Sequence, residues 1–172
     1  MAEVQKGNFP LEQFKDLRTP FYYYDSHLLK KTLENVCSES KVFDQVMLHY
    51  ALKANTNPQI LSIIQSYGLG ADCVSGGEIQ AALDAGFKPE KIVFAGVGKA
   101  DWEIELALKH NIFCFNVESK PELEVINELA AKQNKIAKVC LRVNPNVGAH
   151  THANITTGLA ENKFGIGLTE LA

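Results

Sequence analysis

The sequence contains no run of about 18 or more apolar residues, the length that a membrane-crossing helix needs, so no membrane partner is expected. Met1 to Pro10 is polar and lacks the apolar centre of a secretory leader. An excess of positive charge is missing too. With 17 Lys and Arg against 20 Asp and Glu, the net charge is −3 and there is no basic footprint for nucleic acid. The 4 cysteines, Cys37, Cys73, Cys114 and Cys140, form no C-x-x-C pair, so no zinc knuckle is expected. Most of them sit in apolar strand-like runs and read as small core residues of a reducing, cytoplasmic protein. Low-complexity tracts are also absent. What these absences leave are small-molecule ligands and like subunits.

What is present is alternation. Short apolar runs at Met47–Leu52, Gly70–Val74, Ile92–Ala95, Phe113–Val117 and Ala137–Val143 read as strands buried on both faces. Between them, Pro58–Tyr67, Gly76–Ala85, Trp102–Lys109 and Pro121–Lys132 repeat apolar residues at helical spacing. Repeated strand–helix units imply parallel strands with right-handed crossovers. Helix starts are marked by Asn57 before Pro58, and by Ser75 with Glu78 and Ser119 with Glu122 at capping-box spacing. Gly68 and Gly86 mark helix ends. Upstream, Phe21–Tyr24 reads as an aromatic strand outside the alternation, followed by Asp25 as the cap of a helix to about Val36. A dinucleotide fold would carry G-x-G-x-x-G after its first strand, yet Lys53 to Pro58 has no glycine, and no Walker pattern occurs. The fold class expected is therefore α/β, a partial (β/α)8 barrel with about five of its eight strands. Residues 1–36 form an N-terminal strand and helix leading in, and 37–172 form the first part of the barrel.

Lys53 closes an otherwise apolar run. Strand alternation places Met47, His49, Ala51 and Lys53 on the face toward the barrel interior, and Leu48, Tyr50, Leu52 and Ala54 on the face toward helices. A lysine at a barrel mouth with little solvent has its charged form disfavoured, as an amine attacking a carbonyl requires. A lysine that snorkels to solvent from a strand end fits the same position equally well. Asp72 ends the second strand in the same way and is a candidate charge partner, or a solvated turn aspartate. Arg142 ends the fifth strand and could donate hydrogen bonds at the mouth or make a rim ion pair. Ser75–Glu78 reads as a helix start rather than a phosphate cradle. His150 and His152 flank Thr151 in a polar loop without a third ligand nearby, so no metal is expected.

Several motifs occur in an order that resembles a known family. Tyr50 to Asn55, YALKAN, is similar to the cofactor-lysine strand of the alanine-racemase-like, fold-type III pyridoxal-phosphate enzymes. LGADCVSGGE from Leu69, KIVFAGVGK from Lys91 and FNVES from Phe115 resemble the decarboxylase branch. Leu141 to Ile166 resembles the matching stretch of diaminopimelate decarboxylases, with arginine-x-asparagine-proline before threonine-histidine and lysine-phenylalanine-glycine. The resemblance implies a (β/α)8 barrel plus a separate β domain that receives the Phe21–Tyr24 strand. It further implies pyridoxal 5'-phosphate as cofactor and a homodimer acting on a small amino acid, with meso-diaminopimelate decarboxylated to L-lysine. By position, Lys53 matches the Schiff-base lysine, Asp72 a cofactor-site aspartate and Arg142 a cofactor-site arginine, while His152 matches a loop histidine without an assigned role. The family's phosphate loop, ring-binding histidine and catalytic cysteine have no counterpart up to Ala172, so the 172 residues alone are expected to be inactive. Decarboxylases of ornithine, arginine or carboxynorspermidine share the same barrel residues. A cofactor-binding module without turnover and a bare Schiff-base aldolase are further alternatives.

Overall fold

A computed structural model of the chain describes residues 7, 9–43, 45–145 and 165–167. Five parallel strands form one sheet in sequential order: β1 (His49–Ala51), β2 (Gly70–Cys73), β3 (Ile92–Phe94), β4 (Cys114–Val117) and β5 (Val139–Leu141). The crossovers between them are α3 (Pro58–Ser66), α4 (Gly76–Asp84), α5 (Asp101–His110) and α6 (Lys120–Lys132). The chain leads in through α1 (Leu11–Phe14) and α2 (Ser26–Ser40). Sequential parallel order with a helix in every crossover is the geometry of a barrel wall, in which the strands curl around one side while helices cover the other.

The caps read from the sequence are made. Asn57 Oδ1 accepts from the backbone N–H of Gln59 at 3.0 Å, and Ser75 and Ser119 accept from Glu78 and Glu122. The glutamates reach one residue further back than a capping box, however. Glu78 accepts from Val74 N–H at 2.8 Å and Glu122 from Glu118 N–H at 2.9 Å, which ties each helix start to the end of the preceding strand. Asp25 caps α2, which continues past Val36 to Ser40. Gly68 and Gly86 end their helices at positive φ.

The core lies between the sheet and its helices. Leu52, Ala71, Cys73, Ile92, Phe94, Phe115 and Val117 from the sheet side meet Ile60, Leu61, Ile64, Ile79, Ala82, Ile104, Ile126 and Leu129. Burial of these side chains, each worth about 1.5–3 kcal/mol for the larger ones, holds the layers together.

Several expectations need correction. β1 stops at Ala51, and Lys53 lies in a 3-10 turn, Leu52–Ala54, so alternation cannot be carried through it. Leu52 is still completely buried in the core beneath the helices, while Lys53 in the same turn is exposed. The fifth strand is split at Arg142. Val139–Leu141 pairs with β4, whereas β6 (Val143–Asn144) pairs in parallel with β7 (Ile166–Gly167). Arg142 is the hinge of this exchange, its N–H donating to Val117 O and its carbonyl accepting from Ile166 N–H. Residues 21–24 are exposed and pair with no strand among the described residues. Instead, Phe14 meets Phe21 and Tyr23 edge-on, with ring centroids 5.3 and 5.0 Å apart. Among the cysteines only Cys73 is buried, and Cys140 is exposed. No helix among the described residues is long and apolar enough to cross a membrane.

Candidate functional site

The carboxyl ends of the five strands converge on one concavity of about 460 Å³, lined by Lys53, Asp72, Gly96, Asn116, Glu118, Cys140, Arg142 and their neighbours. Each lining side chain arrives there for a local reason. Lys53 follows β1 in its turn, while Asp72 projects from β2 on the face opposite Ala71 and Cys73, which are fully buried against the helices. The parallel register places Ala51 beside Asp72 and Asn116 beside Cys140. Lys53, Asp72 and Arg142, the three residues singled out from the sequence, thus line one cavity. His150 and His152 lie outside the described residues. A larger hollow, about 580 Å³, opens on the outer helical layer beside Trp102 and Gly77 and contains none of these residues.

Asp72 is under electrostatic tension. Burial pushes its carboxyl above the ordinary value, and the positive charge of Lys53, then of His49, pulls partly against that. Among the described residues its Oδ1 is buried without a hydrogen-bond partner, as is Nε2 of His49 on the same side of the sheet. Buried acceptors are almost always paired, so an orphaned oxygen beside an exposed amine marks a place where a donor belongs. The Cys73 thiol, by contrast, is pushed up to about 12, chiefly by burial and then by Glu78 and Asp72, and stays an inert core group.

Arg142 is held by a residue that the sequence reading missed. Glu118, whose side chain is 3% exposed, accepts from Arg142 Nη1 at 3.0 and 3.3 Å through its two oxygens. The Gly165 N–H donates to the same carboxylate at 3.0 Å. Gly165 takes φ +81°, and a Cβ there would fall 2.9 Å from the Arg142 carbonyl, so only glycine brings the β7 start this close. The rim ion pair that was one reading of Arg142 is therefore present, though with a buried partner. The missed signal was positional: Glu118 directly follows β4, as Asp72 lies one residue before the end of β2 and Lys53 follows β1. A charged residue at the carboxyl end of a barrel strand is the same clue each time. Lys99 was missed as well, and Glu122 was read only as a capping-box residue. They form an ion pair of 2.5 Å behind Glu118.

A family model described as "Pyridoxal-dependent decarboxylase, pyridoxal binding domain" matches residues 29–172. The chain belongs to this family. Among pyridoxal-dependent decarboxylases, it is 65% identical over 166 residues to a diaminopimelate decarboxylase of Bacteroides thetaiotaomicron, covering 96% of this chain and 43% of that protein. A diaminopimelate decarboxylase of Helicobacter pylori is 51% identical over 155 residues, covering 90% of this chain and 38% of its own. The crystal structure of diaminopimelate decarboxylase from Helicobacter pylori complexed with L-lysine superposes with a TM-score of 0.85 at 49% identity, covering 94% of this chain and 41% of that one. That of M. jannaschii in co-complex with L-lysine gives 0.80 at 37%, covering 92% and 38%. The chain thus spans about two fifths of the length of the curated relatives it matches. The partial barrel wall agrees with these structures, whose barrels it overlays in part.

The residues present fit pyridoxal phosphate. An exposed amine lines the cavity, a buried carboxylate oxygen has no donor among the described residues, and a guanidinium braced by Glu118 lies beside them, a set suited to a carbonyl, a donor group and an anionic or phenolic oxygen.

Proposed function

We propose that the full-length protein containing this chain is a pyridoxal-phosphate-dependent decarboxylase of meso-diaminopimelate, releasing carbon dioxide and L-lysine. The observation that carries this reading is the convergence of Lys53, Asp72 and Arg142 on one cavity at the strand ends, in a chain 65% identical to a diaminopimelate decarboxylase. When bound, pyridoxal phosphate supplies the electron sink for the pair left behind as the carboxylate departs.

The chain's own residues do the holding. Lys53 would hold the pyridoxal carbonyl through its amine. Asp72 would accept a hydrogen bond through Oδ1, the atom that has no partner among the described residues. Arg142, its guanidinium oriented by Glu118, donates to an oxygen of the bound ligand without changing protonation state. These fixed contacts orient the ligand, which decides which substrate bond breaks. Residues 37–172 are assigned to the barrel and 1–36 to the lead-in, with the exposed aromatic stretch Phe21–Tyr24 a strand for a further β domain. A homodimer is assigned on the family resemblance. The free cysteines support a reducing, cytoplasmic location.

The test is borohydride reduction of the cofactor-loaded full-length protein, followed by peptide mapping and substrate profiling. A pyridoxyl label on Lys53 and carbon dioxide release from meso-diaminopimelate are expected. A label on another lysine, or preference for ornithine, arginine or carboxynorspermidine, overturns the assignment.

A further inference from the structure

We propose that Lys99 is a positioning residue of this cavity, setting Glu118 and through it the Arg142 guanidinium for the bound ligand. The inference rests on the pyridoxal-phosphate reading of the cavity.

The Lys99 side chain is 1% exposed. Its ammonium donates to Gly96 O at 2.7 Å, Asn116 O at 2.9 Å and Glu122 Oε1 at 2.5 Å, and it lies 5.3 Å from the centroid of the Phe94 ring. An ammonium has three donors and no acceptor, so these partners commit every proton it carries. Lys99 is thereby excluded as a nucleophile or proton carrier for the cavity. What it joins is more telling. Gly96, following β3 at φ +108°, and Asn116, on β4, both line the cavity, and Lys99 clamps their carbonyls together. Through Glu122 it reaches the start of α6, where the second carboxylate oxygen takes the Glu118 N–H at 2.9 Å. Glu118 then holds Arg142 and the Gly165 N–H. One continuous series of charge-assisted bonds therefore runs from a fully buried cation to a cavity guanidinium.

The corner after β2 provides an internal control. Glu78 accepts from Val74 N–H in the same backward manner, with Ser75 capping α4, and no buried lysine among the described residues meets its carboxylate. Capping alone therefore does not call for Lys99. The buried cation is added at the corner that carries the Glu118–Arg142 pair. Desolvating an ammonium is costly and a buried ion pair is a weak source of stability, whereas a fixed geometry is what such a pair supplies well.

The test is a double-mutant cycle in the full-length holoenzyme, reading the dissociation constant for pyridoxal phosphate by absorbance titration together with kcat/KM for meso-diaminopimelate. Lys99→Met is compared in the wild-type and Arg142→Met backgrounds. In the wild-type background it should weaken cofactor binding about tenfold, and in the Arg142→Met background less than about twofold, since the orientation it supplies no longer has a recipient. The same factor in both backgrounds overturns the proposal, because it would reveal a general structural contribution. If Lys99→Met does not fold, judged by circular dichroism, Glu122→Gln decides. It keeps the shape but has only one accepting oxygen, and should weaken binding about threefold in the wild-type background and negligibly with Arg142→Met. Equal factors there overturn the proposal as well. A wild-type enzyme that loads cofactor on Lys53 and turns over, with additive variants, removes only this inference. A wild-type enzyme that takes no cofactor on Lys53 removes the functional reading beneath it.

Discussion

The two walls of the cavity are built on opposite principles. On the β4–β5 side the carboxylates and the buried lysine are saturated: Glu118 binds Arg142 and Gly165, Glu122 binds Lys99 and the Glu118 backbone, and Lys99 spends all its donors within the protein. On the β1–β2 side Lys53 is exposed and Asp72 Oδ1 has no hydrogen-bond partner among the described residues. A saturated wall is rigid because each bond constrains the next. An open wall carries desolvated atoms that gain only when a ligand arrives. Rigidity on one side and unsatisfied chemistry on the other is how a site holds a ligand firmly without filling its own reactive positions.

The largest expected effect separates the walls outright. Lys53→Ala in the full-length protein should reduce turnover by about 10²–10⁴-fold, since among the described residues no other lysine lines the cavity. Retained turnover in this variant would mean that the open wall does not carry the reacting amine. Glu118→Ala should do the reverse in kind, lowering stability by about 2 kcal/mol. That lies below the roughly 3–5 kcal/mol of a fully buried pair because the Arg142 side chain is 42% exposed. Unchanged denaturation midpoints for Glu118→Ala would mean that the saturated wall is not rigidly held.

Arg142→Lys sharpens the contrast within the saturated wall. It preserves the charge opposite Glu118 but loses the planar fork, so the protein should stay folded while kcat/KM falls about tenfold. Wild-type kcat/KM in this variant would reduce Arg142 to a point charge. The smallest effect concerns the open wall and pH. Burial raises the Asp72 carboxyl above its ordinary value of 3.8, so as pH rises the unfolded form releases its proton first while the folded form still holds it. The stabilising contribution is complete below that ordinary value and is lost as pH passes through the raised one. Asp72→Asn has no such proton, so its stability relative to the cofactor-free parent should rise through this window and level off above it. A pH-independent difference in denaturation midpoint would mean that Asp72 is not desolvated.

Much of this architecture is local and therefore readable in the chain. Alternating apolar runs, the caps at Asn57, Ser75 and Ser119, and the turn glycines Gly68 and Gly86 each act over four residues or so, and each is found where the pattern places it. Lys53 and Asp72 were visible because a charge at the end of an apolar strand is conspicuous without any partner. The 3-10 turn at Leu52–Ala54 escaped because strand alternation has no means of announcing where a strand stops. The split at Arg142 escaped because it depends on Ile166, which arrives from beyond a long connection. Cys140 reads as a core residue in its own segment, yet the inward face of β5 puts it against the cavity. The linkage from Lys99 through Glu122 and Glu118 to Arg142 joins residues 23 and 24 positions apart. The sequence by itself determined the order of strands and helices, since those follow from neighbouring side chains. Only the parallel sheet, by setting the ends of β3, β4 and β5 side by side, decided which charges meet and which remain open to a ligand.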